Sequence, residues 1–560
     1  MNTPDDDLPD DPVLDGLLAE ALGDEPLADQ VDAVRARLQA AHAEELAAPR
    51  ARIWNRWAIA AALLGLAVVV GTATWNHDRN TEVAAPRADE PIPMATVTSA
   101  AEAAALPATT RGVEVVGGDD QLLAALLPLR DLEVLVVREP WNEAFGLGLK
   151  MAPPHQVQHV TAASWATIAR FAKLRRLELR GTVHAGYLAT SAPADATPPA
   201  EAFQALERLP LLESLTIRCM DASDALLQQL PRLRGLRHLD LSFNHGFEEA
   251  GIAAILQCRE LRSLSLQGCQ QLHGRLLARL HELPQLEALD LSSIDRMNWR
   301  AGTAELDLPE ARATLEHARR LAGQGGMGPT DAALEGLARC PKLRTLDIGN
   351  GHWTGAGLAE LGALRSLREL DAFGGHDPST GFVASLPKEL ERLELCGEYD
   401  DALCTEIAAH LRNLRHLNLA ACYQITERGL AALLENQALR SLDLRQMRGL
   451  GPGFAAVLAK GVHLERLDLR HSDALDADGL RALQQLPNLR VLDMSWCAKF
   501  GAEATAIPSP EVVDLLLALP ALEDLTILGW APLADADLAR LRAMPTLKRL
   551  ASDRGDETLR

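Results

Sequence analysis

The sequence predicts an α/β solenoid, and three observations carry that expectation. The motif L-x-x-L-x-L recurs, opening at Leu414, Leu439, Leu464 and Leu489 with 25 residues from one opening to the next. Inside each motif the apolar residues alternate at period two, which places them on one face of a short strand. After each motif the spacing turns helical: in ALDADGLRALQQLPNL, residues Leu480, Leu483 and Leu486 fall on one side. One repeat is therefore a strand, a turn, a helix and a turn. Neither element can bury its apolar side alone, so consecutive repeats must stack.

Further openings lie at Leu212, Leu236, Leu261, Leu286, Leu343, Leu367 and Leu390, with outlying copies at Leu132, Leu174, Leu522 and Leu547. The array is about 15 repeats over residues 111–560. Eleven residues after the openings stand Phe247, Leu272, Ile425, Leu450, Leu475, Phe500 and Leu533, and eight residues after them Asn244, Cys269, Cys422 and Cys497. With its period in the twenties, this signature resembles the leucine-rich-repeat family. The phrase LNLAACYQITERGL is similar to its cysteine-containing, ribonuclease-inhibitor-like group. The resemblance implies a curved horseshoe, with a parallel sheet on the concave side and helices on the convex side. The period breaks at 182–205, 295–326 and 501–515, stretches rich in Ala, Pro, Gly and Thr that read as inserted loops.

Charge is unevenly placed. The chain of 560 residues carries a net charge of −22, and residues 1–50 hold thirteen carboxylates against three arginines. Nucleic acid is a poor partner for such a chain, because neutralising phosphates takes clustered Lys and Arg. A basic protein suits the acidic head better. Of the eight cysteines, Cys269, Cys422 and Cys497 occupy the repeat slot, and Cys258 and Cys340 share another, three residues before an opening. Cys219, Cys396 and Cys404 are less regular, and no C-x-x-C pair occurs. The thiols read as buried, reduced and structural, with no metal site.

Between Arg56 and Asp78 no charged residue occurs, and WAIAAALLGLAVVVGTATWNH is long enough to cross a bilayer as a helix. Trp57 and Trp75 bracket this span, expected at 51–76, as interfacial aromatics do. Arg37, Arg50, Arg52 and Arg56 precede it, against Arg79 and Arg87 behind. The head is therefore expected in the cytoplasm and the repeats outside. Residues 77–110, proline-bearing and without sustained period, read as a flexible linker. The head at 1–50 has short apolar helical stripes, Leu14, Leu17 and Leu18, then Val31, Val34 and Leu38. Acidic helices followed by one span resemble the cytoplasmic heads of bacterial anti-sigma-like membrane proteins, which implies a basic cytoplasmic factor as partner. The cysteines of the zinc-type heads are missing from it.

No catalytic constellation is visible. Gly323, Gly325, Gly326 and Gly328 match G-x-G-x-x-G, but a helical pattern precedes them and Pro329 follows, so a glycine-rich loop is the better reading. His281-Glu282 does not continue to H-E-x-x-H. The expectation is a non-enzymatic protein with neither cofactor nor metal.

Binding is expected on the outward positions of the strands. Counting the opening leucine as position 1, position 5 holds Asp240, Asp290, Asp347, Asp371, Asp443, Asp468 and Asp493. Positions 3 and 7 hold Arg176, Arg180, Arg218, Arg392, Arg445, Arg466 and Arg470. The aspartates are either recognition groups or simply residues that suit the position. Aromatics near the strand ends are better interface anchors. The candidate partner-binding set is Phe243, Phe373, Tyr423, Arg445, Arg470 and Trp496, with Trp353 and Trp530 as possible additions. Their ligand is an unidentified protein on the concave face.

Overall fold

In the computed structural model, the structure describes residues 92–138, 162–180, 206–292 and 330–559, apart from short gaps, the longest at 498–508. These residues fall into two compact units, one running to Leu212 and one from Ala222 onward, divided across β5 (Ser214–Arg218). In the first unit β1 (Met94–Val97), β2 (Gly112–Val116), β3 (Val134–Arg138) and β4 (Arg176–Arg180) pair in parallel, in sequence order.

The second unit begins with β6 (His238–Asp240), β7 (Ser263–Ser265), β8 (Ala288–Asp290), β9 (Thr345–Asp347), β10 (Glu369–Ala372) and β11 (Arg392–Leu395). It continues with β12 (His416–Asn418), β13 (Ser441–Asp443), β14 (Arg466–Asp468), β15 (Val491–Asp493), β16 (Asp524–Ile527) and β17 (Arg549–Ser552). Each pairs in parallel with its successor, and β18 (Gly555–Thr558) closes the run antiparallel to β17. Parallel neighbours require a crossover, and each repeat's helix supplies it.

The leucines of the motif make the core. In the Leu414 repeat, Leu414, Leu417 and Leu419 are buried, as are Ile425, Leu430 and Leu433 from its helical half. Polar groups lock successive repeats at the helix starts. Asp401 accepts from the backbone N–H of Thr426 at 2.8 Å and from its hydroxyl at 2.7 Å, and Asp331 treats Thr354 the same way, at 2.7 Å in both bonds. Thr426 in turn caps the helix Glu427–Leu433. Gly429 has no side chain because a Cβ there would collide with Asp401.

Two expectations are corrected. The linker at 77–110 ends early: Met94–Val97 is a strand of the sheet, and Ala100–Ala104 is a helix capped by Ser99, with Val97 and Ala103 buried. Elements of four and five residues are too short to show a period. The loop expected at 501–515 likewise closes with a helix, Ser509–Leu517, which buries Val512, Val513 and Leu516. The head at 1–50, the span at 51–76 with Trp57 and Trp75, the stretch 182–205 and the glycine loop at 323–328 lie outside the described residues. Among the described residues no helix is long and apolar enough to cross a membrane.

Candidate functional site: the open face of the repeat sheet

The open face of the second unit follows one local rule. At position 5 a carboxylate or amide accepts the backbone N–H of position 7. Asp240, Asp290, Asp347, Asp371, Asn418, Asp443, Asp468 and Asp493 all do so, at 2.9–3.1 Å. This is a side-chain turn of the kind aspartate and asparagine favour. Position 8 then turns left-handed: Phe243, Asn350, Ala421, Gln446, His471 and Trp496 have φ of 52–62°, and Gly268, Gly374 and Gly529 have positive φ in the same place. From position 8 the N–H donates to the next repeat, as Gln446 does to Arg470 and Trp496 to Leu528, at 2.9 and 2.7 Å. The aspartate column is therefore structural in its first oxygen.

The second oxygen is where the repeats differ. Arg445 Nε stands 2.8 Å from Asp443 Oδ2 and 3.8 Å from Asp468 Oδ2. Arg470 Nη2 lies 2.7 Å from Asp468 Oδ2, and its Nε 3.4 Å from Asp493 Oδ2. Carboxylate and guanidinium thus alternate across β13, β14 and β15. Burial first, then the charge of Asp468, pushes Asp443 and Asp493 up to about 6, with the arginines pulling the other way. In the first unit Glu178 is buried under Arg176 and Arg180, and Arg138 pairs with Glu114 at 2.8 Å.

The six candidate residues separate into three groups. Tyr423 and Trp496 are 41% and 40% exposed, among the few large apolar side chains that face solvent. Phe243 and Phe373 are half-buried. Arg445 is 6% exposed and held between two aspartates, so it is corrected from a partner contact to a part of the sheet; Arg470 is half-buried and held likewise. Trp353 and Trp530 are buried, each donating its indole N–H to a carbonyl, Ile348 at 3.1 Å and Met494 at 2.8 Å. Neither joins the exposed aromatics.

Sequence reasoning missed His471. Its ring stacks on Trp496 with centroids 5.2 Å apart and planes 10° from parallel. Trp496 also lies against Gly529, where a Cβ would collide with the indole. All three residues occupy position 8 of successive repeats, so tabulating that column would have exposed the ridge. Without knowing that position 8 is left-handed, nothing marks the column as one surface.

The repeat slot for Asn or Cys also gains a physical role. Cys269, Cys422, Cys497 and Trp530 direct their donors at the position-6 carbonyl of the preceding repeat, the thiols at 3.2, 4.0 and 3.2 Å, and Asn244 donates to its own Leu241 carbonyl at 2.8 Å. The seven described cysteines are free, and all but the half-buried Cys396 are buried. Burial pushes Cys258, Cys340 and Cys396 up to about 12, which keeps the thiols protonated and unreactive. Among the described residues no group of His, Cys, Asp or Glu is arranged to hold a metal ion.

With strands, helices and slots in place, the chain carries leucine-rich repeats. The family model described as Leucine Rich repeat matches residues 234–256 and 462–483. A Caenorhabditis elegans protein named as a candidate RNA-binding protein is 26% identical over 309 residues, which is 51% of this chain and 36% of that protein. The match thus spans about a third of that relative's length. Among solved structures, a leucine-rich-repeat protein of Leptospira interrogans aligns over 74% of this chain and 90% of its own, at TM-score 0.38 and 17% identity. A chain of the yeast Rad7–Elc1 complex aligns over 87% of this chain and 97% of its own, at TM-score 0.41 and 16% identity.

Proposed function

We propose that this protein is a non-enzymatic protein-interaction module, displayed from a membrane by a single span at 51–76, whose ligand is a protein bound on the open face of the sheet. The observation that carries the reading is the ridge at the strand ends. Trp496 is 40% exposed although its backbone N–H is bonded to the Leu528 carbonyl and its ring stacks on His471. A rigid, exposed aromatic loses little entropy on binding, which is why such residues anchor interfaces. The slot cysteines are consistent with the cysteine-containing group of repeats. RNA, the ligand named for the nematode relative, is disfavoured by the excess of acid, net −22, and by arginines already paired to carboxylates.

The expected orientation is head inside and repeats outside, and protease added to intact cells should then remove the repeats. A repeat domain that survives until the membrane is permeabilised would reverse the topology. For binding, the full-length chain is used as bait, and Trp496→Ala with Tyr423→Ala should weaken capture by about 2 kcal/mol without changing the fold. Undiminished capture by that variant, with loss on helix-side substitutions, would move the site off the sheet.

A second reading rests on the head. Its thirteen carboxylates and three arginines favour a basic cytoplasmic factor, as in an anti-sigma-like regulator. Binding of a basic protein to a chain lacking residues 1–50 as tightly as to the whole would remove this reading.

A further inference from the structure

The alternating row across β13–β15 is incomplete at one end. Each arginine at position 7 reaches its own position-5 aspartate and that of the next repeat: Arg445 serves Asp443 and Asp468, and Arg470 serves Asp468 and Asp493. Three carboxylates thus share two guanidiniums. At the next step the pattern would place a third arginine beside Asp493. Position 7 there is Ser495, and β16 faces Asp493 with Thr526, followed at its own position 7 by Leu528. The Ser495 hydroxyl donates to Asp493 Oδ1 at 2.7 Å and accepts the Leu528 N–H at 3.1 Å, so it brings no charge. Exposure follows the pattern, with the carboxylate side chains 14%, 16% and 23% exposed from Asp443 through Asp468 to Asp493. The open end is the most accessible. The residue after Ser495 is Trp496, the exposed member of the ridge.

We propose that this open end seats a cationic side chain of a partner protein, foremost an arginine, whose guanidinium gives Asp493 a second cation opposite Arg470 and whose methylene stem packs at Trp496. The assignment rests on the protein-interaction reading and gives it a chemistry. An arginine is favoured over a lysine because the two filled steps are bridged by planar forks that reach two carboxylates at once. The odd charge of the row supplies complementarity: Arg470 reaches Asp493 from one side at 3.4 Å, and on the β16 side the described neighbours Ser495, Thr526 and Leu528 are uncharged. An incoming cation also meets an acid already desolvated by the sheet, where pairing is stronger than on an open surface.

The molecule contains its own precedents for both test variants. Asn418 occupies position 5 in the Leu414 repeat and still accepts the N–H of Ala420 at 2.9 Å, so Asp493→Asn keeps the turn and removes the charge. Arg445 and Arg470 occupy position 7 in the two preceding repeats, so Ser495→Arg places the absent guanidinium within the chain itself. The full-length protein in mild detergent is immobilised and offered an equimolar library of random decapeptides, and the retained peptides are sequenced. Wild type should enrich arginine several-fold over the input, and both variants should abolish that enrichment while retaining a cooperative thermal melt. If Ser495→Arg does not fold, Asp493→Asn decides alone. Arginine enrichment that survives unchanged in a folded variant overturns the seat. Retention of peptides without enriched arginine, lost in Trp496→Ala, also overturns it but leaves the interaction reading standing. No retention at all by wild type removes both.

Discussion

Two stretches of one sheet face, the Leu236–Leu286 repeats and the Leu439–Leu489 repeats, solve the same problem with different groups. Parallel strands lie about 4.8 Å apart, so carboxylates at position 5 of neighbouring repeats repel unless something separates them. In the first stretch the separation comes from hydroxyls. Position 5 alternates Asp240, Ser265, Asp290; Ser265 meets Ser242 at 2.9 Å and donates to Asp290 Oδ2 at 3.0 Å, while Ser292 donates to Asp290 Oδ1 at 2.7 Å. In the second stretch three aspartates stand side by side, and Arg445 and Arg470 are inserted between them. The turn-forming oxygen does the same work in both. What meets the other oxygen decides whether the face is a hydroxyl-bridged row or one of alternating charges, in which three carboxylates share two guanidiniums.

The largest expected difference between the rows is in their response to losing one member. Arg445→Met leaves Asp443 and Asp468 facing each other in a site where the arginine was 6% exposed. The loss should be about 3–5 kcal/mol of unfolding free energy, read from urea titration of the repeats. Ser265→Ala in the other row removes hydroxyl hydrogen bonds, one of them to the Asp290 carboxylate, and should cost about 2 kcal/mol. Equal losses would mean that both rows are solvated alike.

Protonation sharpens the comparison next. Asp443 and Asp493 titrate at about 6 in the folded protein, raised by burial and by Asp468, against about 3.9 unfolded. The folded chain therefore holds these protons more tightly, and their contribution to stability should rise as pH falls from about 6 to about 4, then level off. Asp443→Asn with Asp493→Asn should flatten that segment of the curve of urea midpoint against pH. A slope of the opposite sign in the wild-type-minus-variant difference would show Arg445 and Arg470 outweighing burial. Asp290 is also raised, by burial first, so its Asn variant should act in the same direction.

The smallest effect tests the ridge that both rows share. Ala421 sits left-handed at φ 58°, a conformation that glycine adopts without the Cβ clash. Ala421→Gly should stabilise by up to about 1 kcal/mol in the same urea titration. A loss of stability would mean that the ridge depends on packing of the Ala421 methyl group, which is buried.

Much of the architecture was legible because period-two leucines and helical spacing recur in phase. Leu417, Leu442, Leu467 and Leu492 do fall in one hydrogen-bonded register, one per strand. The candidate site was legible only in part. Tyr423 and Trp496 were found as aromatics near strand ends, and they are exposed. Arg445 looked equally available, since a one-dimensional pattern cannot tell an arginine reaching solvent from one held between two carboxylates. Trp353 and Trp530 misled for the same reason: each indole N–H serves an inward carbonyl instead.

The sequence by itself determined the repeat, its period, the inward leucines and the columns of Asp, Arg and Cys, because each depends on spacing along one chain. The tertiary structure decided which oxygen of each aspartate is committed to the turn and that position 8 is left-handed. It also decided that His471, Trp496 and Gly529 form one ridge and that the Asp–Arg alternation stops at Asp493. Those properties arise between repeats about 25 residues apart, where strand pairing sets which side chains meet and burial sets how strongly they interact.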